Sequence, residues 1–113
     1  MAIGETNMHD IKWTQSEKKL AREVFESALQ NELAEVIAKF KSEAAAISKS
    51  DDLWALIKRT DQQREEIDRK YDFKYSQLLR VFGHLLREGQ ISEDELQGLS
   101  EQKIAIIHHI AEL

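Results

Sequence analysis

Four histidines are the first side chains to test for chemistry. His108 and His109 are adjacent, so on a helix they point about 100° apart and cannot share a ligand face. His84 and Glu88 stand at i, i+4, but two ligands do not complete a coordination sphere. The Glu-x-x-His pattern of di-iron bundles is absent, because Val81, Ala105 and Ile106 stand three residues before His84, His108 and His109. Solvated or hydrogen-bonded histidines fit better than a metal site. Asp61, Glu65, Glu66, Asp68 and Asp72 could supply a carboxylate pair for acid–base work. Yet Glu65–Arg69 and Glu66–Lys70 have the i, i+4 spacing of ion pairs on a solvated helix face. No nucleophile elbow, phosphate loop or dinucleotide fingerprint occurs. With no cysteine, disulfides, thiolate metal sites and cysteine nucleophiles are excluded. These residues point away from an enzyme and from a cofactor, and toward a protein that works by binding another protein.

Two features suit recognition better than catalysis. Lys58 to Glu66 is a run of nine polar residues in a segment whose two ends are apolar. Within it Thr60 and Arg64 keep the phase of the apolar stripe, so they fall where core residues belong. A buried guanidinium is costly unless paired. Either the run is exposed, or Arg64 meets Asp61, Asp68 or an acid from a second chain. Trp54 lies beside the stripe, on a flank shared with Lys58, Asp61 and Glu65. Tryptophan there is a packing residue or a binding hot spot.

The elements that position these residues are helices. Proline is absent, only four glycines occur, and Ala, Leu, Glu, Lys, Gln and Ile dominate. Apolar residues at 42% with charged residues at 33% suit a folded chain rather than a disordered one. A net charge of −5 argues against a grip on nucleic acid. No apolar run is long enough to span a membrane and no signal-peptide pattern is visible, which leaves the cytoplasm as the expected compartment. Residues 1–12 lack periodicity and read as a flexible N-terminal tail, with 13–113 as a single helical domain.

Thr14 and Glu17 form a capping box, and Phe25, Leu29, Leu33, Val36, Phe40, Ala44 and Ile47 mark one face of a helix running to about Ser48. Ser48 or Ser50, with Asp51 and Asp52, starts a second helix. Its stripe of Leu53, Ile57, Thr60, Arg64, Ile67, Tyr71, Tyr75, Leu78, Phe82 and Leu85 predicts one element ending at Gly89. Gly83 lies inside it as a close-packing position. Two short helices follow, capped by Ser92 with Glu95 and by Ser100, and separated by Gly98. A helix over 51–88 spans roughly 55 Å, whereas a compact domain of this size has a radius of gyration of only about 13 Å. Such a helix overhangs any core that one chain can build. An elongated homodimer with antiparallel long helices covers the overhang; a monomeric helical hairpin is the rival.

Asp51-Asp52-Leu53-Trp54, then Arg64, Glu66-Ile67-Asp68 and Lys70-Tyr71-Asp72, resembles the fluorescence recovery protein family of cyanobacteria and its relatives elsewhere. Trp13-Thr14-Gln15, Leu85-Leu86-Arg87-Glu88-Gly89 and Glu95-Leu96 fit the same pattern without gaps, so the likeness extends over nearly everything from Trp13 onward. The resemblance implies a small all-helical homodimer without a cofactor. It implies binding to the C-terminal domain of photoactivated orange carotenoid protein and acceleration of that protein's return to the dark state. Trp54 and Arg64 match positions at the family's dimer and activity surface. Ile57 and Lys58 stand where cyanobacterial members carry a His-Asp pair. Arg80 replaces an aromatic, and Ile106 a lysine, on the family's partner-binding head. Those departures bear on recognition rather than fold, and leave open a helical dimer of this type with an unrelated protein partner and no carotenoid role.

Overall fold

The computed structural model describes residues 11–113, so residues 1–10 of the expected tail lie outside the described residues. It is all-helical: α1 Gln15–Ala45, α2 Ser50–Lys70, α3 Leu78–Arg87 and α4 Glu101–Glu112, with a 3-10 turn at Asp94–Leu96. The two-long, two-short arrangement holds, but with different bounds from those expected. The helix predicted over 51–88 is two helices, and the segment after Ser92 makes only the short turn.

Local chemistry explains most ends. At the start of α1, Thr14 Oγ1 accepts from Glu17 N–H at 3.1 Å, and the Glu17 carboxylate accepts from Thr14 N–H at 3.0 Å. The cap of α2 is Lys49 rather than a serine, with Asp52 accepting from the N–H groups of Ser48 and Lys49, each at 3.3 Å. α3 closes in a Schellman motif, with Gln90 N–H donating to Leu85 C=O at 2.9 Å and Gly89 N–H to Leu86 C=O at 3.1 Å. Gly89 supplies the φ of 75° that this closure needs. Ser100 Oγ caps α4 by accepting from Lys103 N–H at 3.2 Å.

The break after Lys70 has a tertiary cause. Tyr71 still donates its N–H to Ile67 C=O, but at φ −95°, ψ 76° it leaves the helix. Tyr71, Phe73 and Tyr75 recur every second residue, and a helix would turn Phe73 to the face opposite the two tyrosines. Extended, the segment brings Tyr71 and Phe73 edge-on to Phe25 of α1, with centroids at 5.4 and 5.0 Å. Tyr75 completes the row against Phe73 and Trp13, each at 5.6 Å. Edge-to-face pairs of this kind are worth about 0.5–1.5 kcal/mol beyond area burial, which offsets the few helical hydrogen bonds forgone.

The chain therefore turns back and builds a head at one end. Its core joins Ala21, Val24, Phe25 and Ala28 of α1 to Leu78, Leu79, Val81, Phe82 and Leu85 of α3, with Ile106, Ile107 and Ile110 of α4. α3 and α4 pack closely at Gly83, where an added Cβ would run into the Ile110 side chain. The distal half of α1 and most of α2 project from the head as a two-helix arm. The molecule measures 58 × 24 × 21 Å, with a radius of gyration of 17.3 Å.

A buried ion pair ties the head together. Glu17 and Lys103 side chains are 7% and 5% exposed and meet at 3.1 Å. Glu17 Oε2 accepts from Ser100 N–H at 2.8 Å, and Lys103 Nζ donates to Lys12 C=O at 2.6 Å. Ile11 packs against the core. Burial opposes the Glu17 charge, but donation from Thr14, Ser100 and Lys103 outweighs it and holds the carboxyl below its ordinary pKa.

Gly83→Ala gains helix propensity but overpacks the α3–α4 contact, so a net loss of about 1–2 kcal/mol is expected in urea unfolding. Glu17→Met strands a buried ammonium and two helix-start N–H groups, a loss of about 3–5 kcal/mol. Lys103→Met costs less, because Glu17 keeps its backbone donors. A group with a depressed folded pKa stabilises above its unfolded value, near ~4.3, and loses that contribution as pH falls through the folded value. Wild-type stability should fall below about pH 4 by more than that of Glu17→Met.

Candidate functional site

α2 has two faces with different fates. Leu56, Thr60, Gln63 and Ile67 turn inward at i, i+4, i+7 and i+11, and only Leu56 and Ile67 are fully buried. Between them the contact with α1 is polar and loose, and a cavity of about 230 Å³ is lined by Lys39, Glu43, Arg59, Gln62, Gln63 and Glu66, among others. Arg59 reaches Glu43 across it at 3.3 Å. Leu56 was not part of the expected stripe; it is the residue that docks α2 on α1.

The start of the expected stripe, Leu53 and Ile57 with Arg64, instead faces outward, whereas its members Ile67, Leu78, Phe82 and Leu85 are buried. Leu53, Trp54 and Ile57 are 39%, 62% and 46% exposed, joined by Phe40 at 41% and Ile37 at 55% from α1. Phe40, Ile57, Thr60, Asp61 and Arg64 line a shallow, mostly apolar depression of about 250 Å³. Lys58 is exposed one turn from Trp54. Arg64 is exposed and paired at once, donating from Nη2 to Asp61 at 3.0 Å and from Nη1 to Asp68 at 3.2 Å. The Asp61 carboxylate, by hydrogen bond and charge, raises the Arg64 pKa, with a smaller contribution from Asp68. The guanidinium is thus held flat along the helix beside an apolar patch, a pre-ordered arrangement suited to an interface.

The head residues separate. Arg80 is half-buried and donates Nε–H to Gln77 Oε1 at 2.9 Å. Ile106, expected on a partner-binding surface, is 3% exposed and belongs to the core, because it is on the α4 face that meets α1 and α3. It has no surface to offer a partner.

One polar network had no signal in the sequence. Lys70 Nζ donates to Glu32 at 2.6 Å and to Glu88 at 2.8 Å, and Tyr71 Oη donates to Glu32 at 2.8 Å. Its hydrogen-bonded partners lie 18 to 39 residues apart, beyond any helical spacing rule. Burial disfavours the Lys70 charge, yet Glu32 and Glu88 hold its pKa above the ordinary value; burial and Glu32 together push the Tyr71 hydroxyl well up. The network locks the end of α2 to α1 and α3, and so sets the direction of the arm. Among the described residues no group of three or more His, Cys, Asp or Glu residues is placed to hold a metal ion, and no helix is long and apolar enough to cross a membrane.

Residues 13–111 match the family described as photoprotection regulator fluorescence recovery protein. A fluorescence recovery protein from Synechocystis is 38% identical over 101 residues, which is 89% of this chain and 93% of that protein. The solved structure of the Fremyella diplosiphon fluorescence recovery protein superposes with a TM-score of 0.86 at 33% identity, covering 90% of this chain and all of that one. That of Synechocystis does so with a TM-score of 0.86 at 37% identity and the same coverage.

Trp54 supports nothing in the head core, so Trp54→Ala should change the unfolding free energy at high dilution by no more than about 0.5 kcal/mol. Any partner or second copy seated on the outward face should lose at least about tenfold in affinity. Sedimentation across a concentration series beside urea melts checks both halves.

Proposed function

The chain belongs to the photoprotection regulator fluorescence recovery protein family, and from that premise we propose that it is a non-catalytic regulator acting as a homodimer on a carotenoid protein. The observation that carries this is the outward face of the arm. Five large apolar side chains, Ile37, Phe40, Leu53, Trp54 and Ile57, stand exposed beside a pre-paired Arg64. An apolar strip rimmed by charges is what an interface leaves uncovered when its partner is removed. A second chain running antiparallel would cover it, since a strip along an elongated arm matches its own two-fold copy.

The partner is the C-terminal domain of photoactivated orange carotenoid protein, met in the cytoplasm, and the effect is faster return to the dark state. Acceleration requires that the dimer bind the path back to rest better than the active state, because equal affinity for both shifts nothing. A second reading keeps the dimer but gives it an unrelated protein partner. It is favoured by Ile57, Lys58 and Arg80, where the family pattern differs, and by a core position for Ile106.

Light scattering at micromolar concentration is expected to give about twice the 13.1 kDa chain mass. A monomer persisting at high concentration with full helicity sinks the dimer. Mixed with photoactivated orange carotenoid protein, the chain should speed red-to-orange recovery, and Trp54→Ala should slow that effect. An unchanged recovery rate at large molar excess favours the second reading.

A further inference from the structure

Three arginines lie against acids: Arg22 meets Glu26, Arg59 meets Glu43, and Arg64 meets Asp61 and Asp68. The junction of α2 and α3 is different. Arg69, Lys70, Arg80 and His84 line one open cleft of about 400 Å³, and Glu66 is the single acid among the lining residues. On a chain of net charge −5, that is a local inversion of sign. Lys70 is already engaged by Glu32 and Glu88. Neither Arg69 nor Arg80 forms an ion pair among the described residues. Arg80 is anchored through Nε to the neutral Gln77 side chain, which orders the guanidinium without discharging it.

His84, half-buried one turn after Arg80, reports the local field. Burial lowers its pKa first, then Arg80 and Arg87 lower it further, with Lys70 adding in the same sense and Glu88 opposing. Solvated arginines are common on protein surfaces. Convergence of two, with an imidazole, on one concave surface of an acidic protein is not explained by solvation alone.

We propose that this cleft binds the carboxylates of an acidic segment of a protein partner, with Arg69 and Arg80 as ion-pair donors and His84 as a hydrogen-bond donor. Guanidinium forks match carboxylates in bidentate geometry. A compact phosphate fits less well. Glu66 on the rim opposes a concentrated dianion. Separate charges, spaced along a chain, suit cations drawn from two helices. This inference does not rest on the carotenoid-protein reading, since an acidic segment of either partner would serve.

The test titrates the full chain with a hexaglutamate peptide and follows the histidine ring resonances by NMR. A saturable shift confined to His84 is expected, with a raised His84 pKa and no comparable movement of His108 or His109. Arg80→Gln should weaken binding at least about tenfold, and Arg80→Lys should recover only part of the loss because it keeps the charge without the fork. Arg69→Gln, at an exposed position, gives the same direction without risk to the core. Added salt should weaken all of these interactions. Unsaturable binding, equal shifts at His108 and His109, or unchanged affinity in Arg69→Gln and Arg80→Gln overturns the proposal. So does inorganic phosphate binding the cleft more tightly than the peptide.

Discussion

One carboxylate organises the head. Glu17 accepts from the first turn of its own helix, from the N–H that opens α4, and from the Lys103 ammonium. Two helix starts some eighty residues apart in sequence are thereby brought to one point. The charge is buried, which would be costly alone, but both carboxylate oxygens accept from donors. With α1 and α4 joined there, α3 has a defined slot between them, and Gly83 lets it approach Ile110 closely enough to fill it. Removing the side chain at position 83 and supplying the charge at position 17 are complementary devices, one steric and one electrostatic.

The remainder of the chain is shaped by where that head stops. The aromatic row Tyr71, Phe73 and Tyr75 ends α2 by competing successfully with helix continuation, and the Lys70–Glu32–Glu88 network fixes the angle at which the arm departs. Distal to this junction the inward contacts thin to Leu56 and a polar, partly hollow seam. An arm with so little internal packing, and with Trp54 and Ile57 turned outward, is incomplete as a stability unit. Its free face and its weak inner face have the same origin: the apolar residues of α2 are divided between two sides of one helix.

Surface chemistry divides accordingly. The arm presents apolar area with an arginine already discharged by two aspartates, suited to extensive contact. The junction of α2 and α3 presents the Arg69 and Arg80 guanidiniums, which form no ion pair among the described residues and are suited to selecting charge. A regulator that shifts a partner between states needs only differential affinity.

The all-helical class, the caps at Thr14 and Ser100, the stop at Gly89 and the close-packing role of Gly83 were legible in the sequence. Each depends on residues within one or two turns, or on a side chain's absence, and local spacing carries that information. So were the motifs that place the chain in its family. What the sequence left undecided is non-local. Tyr71 and Tyr75 share a helical phase with Ile67 and Leu78, so periodicity alone extends α2 through them; Phe25, forty-odd residues earlier, decides otherwise. Ile106 and Ile104 look alike as letters on an apolar helix, and only the docking of α4 buries the first more completely than the second. The α2 stripe has the phase of a core, yet which side of a helix becomes core depends on what packs there. Burial is a property of two surfaces meeting, and a single periodic pattern describes one of them.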